Sequence, residues 1–158
     1  VIARYPTIAA GIKGLRDAGF GILVKDASLG GLYPVMCVTM LNPRDQGVFA
    51  SFGAHPRFEI ALERALTELL QGRALEALDG FPPPGFDLDE IASAPNIEIH
   101  FVDSSGIISW EFLGEEADFE FASCEFNPQP TRFRDIPPAT YNTLINKNIC
   151  LLTLHLVS

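Results

Sequence analysis

No run of about 18 apolar residues occurs anywhere in this chain, so the length a helix needs to cross a bilayer is missing. The opening stretch, VIARYPTIAAGIKGLRDAGF, lacks the charged start and apolar middle of a secretory signal, and it has no initiator Met, so a fragment boundary is expected at Val1. Cysteine is scarce. Cys37, Cys124 and Cys150 are odd in number, far apart and without a CxxC pair, which argues against a zinc site or a disulfide framework and points to a reducing cytoplasm. Basic residues are few as well: 11 Lys and Arg stand against 20 Asp and Glu, for a net charge of −9 and a pI near 4.7. Free DNA or RNA, bound through counterion release, would find no basic surface here. A nucleotide is a different case, because a few local cations or a metal held by carboxylates suffice for it.

What is present is the composition of a packed domain. Apolar residues make up 47% of 158, outside the range of disordered chains, and the length suits one domain or a piece of a larger one. Ile8, Ile12, Leu15 and Ala18 recur at spacings of three and four, which predicts a helix over residues 6–18 that Gly19 ends. Three apolar, strand-like runs follow at residues 20–25, 34–41 and 47–52, separated by Gly30-Gly31 and by Asn42-Pro43. A long periodic segment over residues 56–78 predicts a second helix, with Pro56 at its start, and the Pro82-Pro83-Pro84-Gly85 run predicts a stiff connection after it. Residues 87–93 are read as one or two helical turns. The alternating run IEIHFV at 97–102 is read as a strand, with residues 107–112 as its hairpin mate across Asp103-Ser104-Ser105-Gly106. The expected fold class is α+β, a mixed β-sheet with packed helices.

The second predicted helix carries the chemistry. Ala61, Leu62, Ala65, Leu66 and Leu69 form its apolar stripe, while Arg64, Glu68 and Gln71, at i, i+4 and i+7, converge within roughly 60° on another side. Glu59, Glu63 and Thr67 form the neighbouring row. A guanidinium, a carboxylate and an amide in one line can grip a phosphate, a magnesium ion and a base or ribose edge. The plain alternative is a solvated face laced by i,i+4 ion pairs. Against it, Arg64 precedes Glu68, the less favourable order for helix stability.

The string GAHPRFEIALERALTELLQGR at residues 53–73 resembles the signature of the YcaO family, a Gly- and His-Pro-containing approach followed by a helix of the form ALxRAxTExxQxR. The resemblance extends upstream through DASLGGLYPVMCVTMLNP and downstream through DGFPPPGFDLDEIASAPNIEIHFVDSSGIISWEFLG, covering roughly residues 1–120. It is greatest to the long proteobacterial form that accompanies β-methylthiolation of a small-subunit ribosomal protein. The resemblance implies a fold in which ATP and Mg2+ sit among glutamates from several helices, and a cyclodehydratase-like chemistry that phosphorylates a peptide backbone amide. It implies that Arg64 contacts phosphate, that Glu68 and Gln71 lie beside metal and nucleotide, with Glu68 a metal ligand, and that Glu63 supports them. The family's ExxE helices have no counterpart in this chain, so independent ATP turnover is not expected of it. Implied partners are a peptide or ribosomal protein substrate and a methylthiolation enzyme. A second reading makes the chain a non-catalytic module that dimerises or docks such a partner.

Residues 1–121 are thus read as the C-terminal part of a YcaO-like domain, and residues 122–158 as a divergent tail. That tail, with Arg132-Phe133-Arg134 and the apolar ICLLTLHLV at 149–157, is either the product of a frameshift or a strand added to a sheet edge. His55, just ahead of a helix start, is open to a phosphate-binding role or to a capping or packing one. His100 is read as a surface or half-buried satisfied residue, Asp103-Ser104-Ser105 as a turn, and Cys37 as an inert buried thiol.

Overall fold

The computed structural model of the chain describes residues 2–29 and 33–114. The proposed tail at 122–158, Cys124, Cys150 and the Gly30-Gly31 turn lie outside the described residues. A 3₁₀ turn at Ile2–Arg4 leads into α1 (Pro6–Asp17), which buries Ile8, Ile12 and Leu15, three of the four positions its spacing singled out. Three strands follow, β1 (Gly21–Asp26), β2 (Val35–Leu41) and β3 (Val48–Ala54), in the order β1-β2-β3 with both pairings antiparallel. Helix α2 (Phe58–Leu70) returns across the sheet with Ala61, Leu62, Ala65 and Leu69 buried. The main core lies between α1, α2 and one face of the sheet, where Ile22, Met36, Val38, Met40 and Phe49 meet the two helices. The opposite face, with Val35 and Cys37 buried, packs Ala50, Phe52, Ala54 and Phe112. These elements bear out the α+β class. Among the described residues no helix is long and apolar enough to cross a membrane.

The fit of α2 on β3 depends on a missing side chain. A Cβ at Gly53 would fall inside contact distance of the Ala61 carbonyl and the Ala65 amide, both backbone atoms of α2 that cannot step aside. Ser51, two residues earlier on the same face, donates its hydroxyl to the Ala65 carbonyl at 2.6 Å. The helix is therefore seated against the strand at the level of residues 61–65, which sets where the polar residues beyond them emerge.

Helix α2 is shorter than the periodicity predicts. Gln71 and Gly72 both adopt left-handed backbone, with φ of 47° and 71°, so the helix closes at Leu70 and only a 3₁₀ turn, Leu75–Ala77, follows. Residues 97–102 are not a strand, and 107–112 do not form its hairpin mate. They lie instead in α4 (Ala94–Asp103), after the short α3 (Leu88–Ile91), and in a segment that ends in a 3₁₀ turn at Trp110–Leu113. End signals outweigh the alternating pattern here. The Ser93 hydroxyl caps the Asn96 amide, Pro95 stands in the first turn, and Ser104 takes the left-handed terminal position at φ 62°. The buried Asn96 then holds the returning chain, donating to the carbonyls of Ile91 and Ile107 at 2.9 and 3.0 Å and accepting from the Ile107 amide at 2.7 Å.

Candidate functional site

The seating of α2 brings Arg64, Glu68 and Gln71 to one wall of an open cavity of about 660 Å³. Its back is strand β3, represented by all six consecutive residues from Phe49 to Ala54, and its other wall is His100, Ser104, Ile108 and Phe112. The volume lies within the ordinary range for small-molecule sites. Glu63, one row away on the helix, is exposed and does not line the cavity; its carbonyl accepts the Thr67 hydroxyl. The described ion pairs are Lys13–Asp17, Arg44–Asp79 and Arg57–Glu59. Neither Arg64 nor Glu68 takes part, so the i,i+4 ion pair between them that a purely stabilising surface would contain is not formed among the described residues.

Gln71 is at the helix terminus, where its left-handed backbone turns the side chain off the helical row. Its amide oxygen accepts from the Arg73 guanidinium at 2.8 Å, and Arg73 in turn stands over the Phe81 ring at 5.2 Å. Arg73 is therefore a second cation tied to the site, and the sequence reading gave it no role. Its place in the QGR end of the signature was visible, but not that two left-handed residues fold it back onto Gln71.

The far wall is the part the sequence did not reveal. His100 sits half-buried one turn beyond Asn96, with Nε2 3.2 Å from the Ile107 carbonyl. Burial holds its pKa below the ordinary value, partly offset by that hydrogen bond and by Asp103. Gly106 permits this contact, since a Cβ there would strike the imidazole ring. At the wall's end Lys25 donates to the carbonyls of Phe112 and Gly114, both at 2.5 Å, and stacks over the Phe112 ring. His55 does not line the cavity; its Nδ1 accepts from the Arg57 amide at 3.0 Å, a bond that fixes the approach to α2, whose first turn has no side-chain cap. Burial, and next the charge of Arg64, lower the pKa of His55.

Arg64 and Gln71 supply donors suited to phosphate and to polar nucleotide edges. Among the described residues Glu68 is the one carboxylate in the lining, and no group of three or more His, Cys, Asp or Glu is able to hold a metal. The donor set thus fits one side of a nucleotide site and supplies a single ligand toward a cation that takes about six.

Residues 1–144 match the family described as a YcaO cyclodehydratase that binds ATP and Mg2+. An uncharacterised protein of Haemophilus influenzae is 56% identical over 127 residues, and the ribosomal protein S12 methylthiotransferase accessory factor YcaO of Escherichia coli is 53% identical over 127 residues. Each alignment covers 80% of this chain and 22% of the relative, so the chain spans about a fifth of the length of these curated relatives.

Proposed function

This chain belongs to the YcaO family, and from that premise we propose that it supplies one wall of the nucleotide site in a cytoplasmic, ATP- and Mg2+-dependent protein that activates peptide backbone amides. The branch is the one that assists β-methylthiolation of a ribosomal protein, in keeping with the name of the E. coli relative. The observation that carries this reading is the convergence of Arg64, Glu68 and Gln71, none held in an ion pair, on one cavity beside β3.

ATP, when bound, supplies the phosphoryl group that an amide oxygen receives. The chain's own residues bind and orient. Arg64 holds negative charge on a phosphate, Glu68 provides one oxygen toward magnesium, and Gln71, fixed by Arg73, offers its amide N–H₂ to the nucleotide. With one carboxylate in the lining, the remaining metal ligands come from other parts of the protein, and the residues described here do not turn over ATP alone.

The test is Arg64→Ala in the full-length protein. Removing an exposed guanidinium should cost under about 1 kcal/mol of stability. Loss of a phosphate contact that strengthens with developing charge should slow ADP release on the order of a hundredfold. Gln71→Ala should be milder, near the 1 kcal/mol of a neutral hydrogen bond. ADP release and thermal unfolding are measured side by side. Full activity in Arg64→Ala, or activity and stability lost in proportion, would overturn the assignment. The docking alternative gains support from the exposed apolar side chains Phe86, Phe101 and Val102, at 78, 60 and 77% exposure, and unchanged ADP release would favour it.

A further inference from the structure

Helix α2 ends on a residue that stability alone would not select. Gln71 holds left-handed backbone at φ 47° and Gly72 follows at φ 71°, a conformation in which glycine has no Cβ penalty and glutamine has one. The two left-handed residues reverse the chain, and the Arg73 amide closes the turn on the Leu70 carbonyl at 2.7 Å. Arg73 is thereby folded back beside Gln71, and its Nη2 donates to the glutamine Oε1 at 2.8 Å. The guanidinium has a second hold on the core. It lies over the Phe81 ring, 5.2 Å from the centroid, and the buried Phe81 packs on Phe49 with ring centroids 4.5 Å apart.

The contact with Arg73 decides which way round the Gln71 amide sits. A guanidinium carries donors only, so the amide atom facing it is the oxygen, and the N–H₂ group is left for the cavity that Gln71 lines and Arg73 does not. Without Arg73, an amide at an exposed helix end is free to turn either atom inward. We infer that Arg73 is a positioning residue: it makes Gln71 a hydrogen-bond donor only, so that this end of the site takes an acceptor atom on the nucleoside part of the ligand. This rests on the nucleotide reading given above and adds to it the polarity that Gln71 presents. The place on the ligand follows from distance. Gln71 is seven residues beyond Arg64, about 10 Å along the helix axis, so a nucleotide whose phosphate meets Arg64 reaches Gln71 with its sugar or base. Ring nitrogens and ribose oxygens match a donor; an exocyclic amine does not.

Full-length protein is titrated calorimetrically with ATP in the presence of Mg2+, beside thermal unfolding, as the parent and as Arg73→Ala, Arg73→Lys, Gln71→Glu and Gln71→Gly. Arg73→Ala should bind ATP about fivefold more weakly, the scale of one neutral hydrogen bond, with little change in melting temperature because Arg73 is exposed. Arg73→Lys keeps a cation that can donate to Oε1 and should recover most of that loss. Gln71→Glu keeps the oxygen that Arg73 holds but puts a second acceptor where the donor was, and should bind roughly tenfold more weakly or worse without melting lower. Gln71→Gly should melt no lower than the parent, because glycine suits the left-handed position, and still lose affinity, a pairing of signs that a merely structural residue does not give. Deaza and deoxy analogues of ATP, each lacking one ring nitrogen or one ribose hydroxyl, then locate the acceptor: the analogue without it should bind the parent and Arg73→Ala equally. Parent-like ATP affinity in Arg73→Ala or Gln71→Glu, affinity and melting temperature falling together, or an Arg73 effect that persists with every analogue would overturn the inference. If Arg64→Ala weakens ATP binding while the Arg73 and Gln71 variants do not, only the positioning role falls and the nucleotide reading stands. If the full-length parent binds no ATP, both fall.

Discussion

Cys37 shows how far one residue's surroundings set its chemistry. It lies in the middle strand, 1% exposed, and burial pushes its thiol up to about 12 against the smaller opposing effects of the Thr39 hydrogen bond and the Lys25 charge. The thiolate is the reactive form, so Cys37 should resist iodoacetamide at pH 8 in the native protein and alkylate readily in denaturant. Mass spectrometry of the Cys37 peptide reads this directly, and rapid native labelling would mean that β2 opens far more often than its packing implies. The apolar run PVMCVTML was enough to place this thiol inside. Arg64, Glu68 and Gln71 were legible to a lesser degree. Their spacing put them on one row, but nothing in it disclosed what they face, because the opposite wall comes from residues 100–112, separated in sequence and joined only by the fold.

At the level of elements, the contact between β3 and α2 is the one on which the site's geometry turns. Gly53→Ala puts a methyl group against the backbone of Ala61 and Ala65, atoms with no rotamer to change, so α2 must move away from the strand or tilt. Overpacking of this kind costs about 1–3 kcal/mol, and the upper end is expected because the clash is with main chain. Chemical denaturation should show that loss, and ADP release in full-length Gly53→Ala protein should fall more than the loss of stability alone accounts for, since Arg64 and Glu68 ride on the displaced helix. A variant as stable as the parent would mean that the two elements are less closely seated than described. The apolar stripe of α2 was plain from its 3.6-residue period, and the three strands from their β-branched runs. Helix α4 was not, because IEIHFV alternates as a half-buried strand does. What decides it is Ser93 and Pro95 at one end, Ser104 at the other, and Asn96 reaching chain eleven residues on, a tertiary bond that periodicity does not register.

For the molecule as a whole, acid should act in two stages. Burial holds His55 and His100 below their ordinary value of 6.5, so the unfolded chain takes up protons that the fold refuses. Their stabilising effect is whole above pH 6.5 and is lost as pH falls below it. Asp45 is held below 3.8 by the amides of Gly80 and Gly47, so its effect is present above that value and disappears as pH drops through its folded one. The melting temperature should hold level from pH 8 to about 6.5, decline below, and decline again below about 4. A level profile down to pH 5 would show that neither histidine is linked to folding. The two bonds from Lys25 to the carbonyls of Phe112 and Gly114 span 87 and 89 positions, whereas the sheet and α2 join neighbours in chain order. Closing so long a loop costs more chain entropy than closing a hairpin. During synthesis and refolding the edge of β3 is therefore assembled before the wall that shelters it, and a molecule caught at that stage carries a bare strand edge, the kind of surface through which chains aggregate.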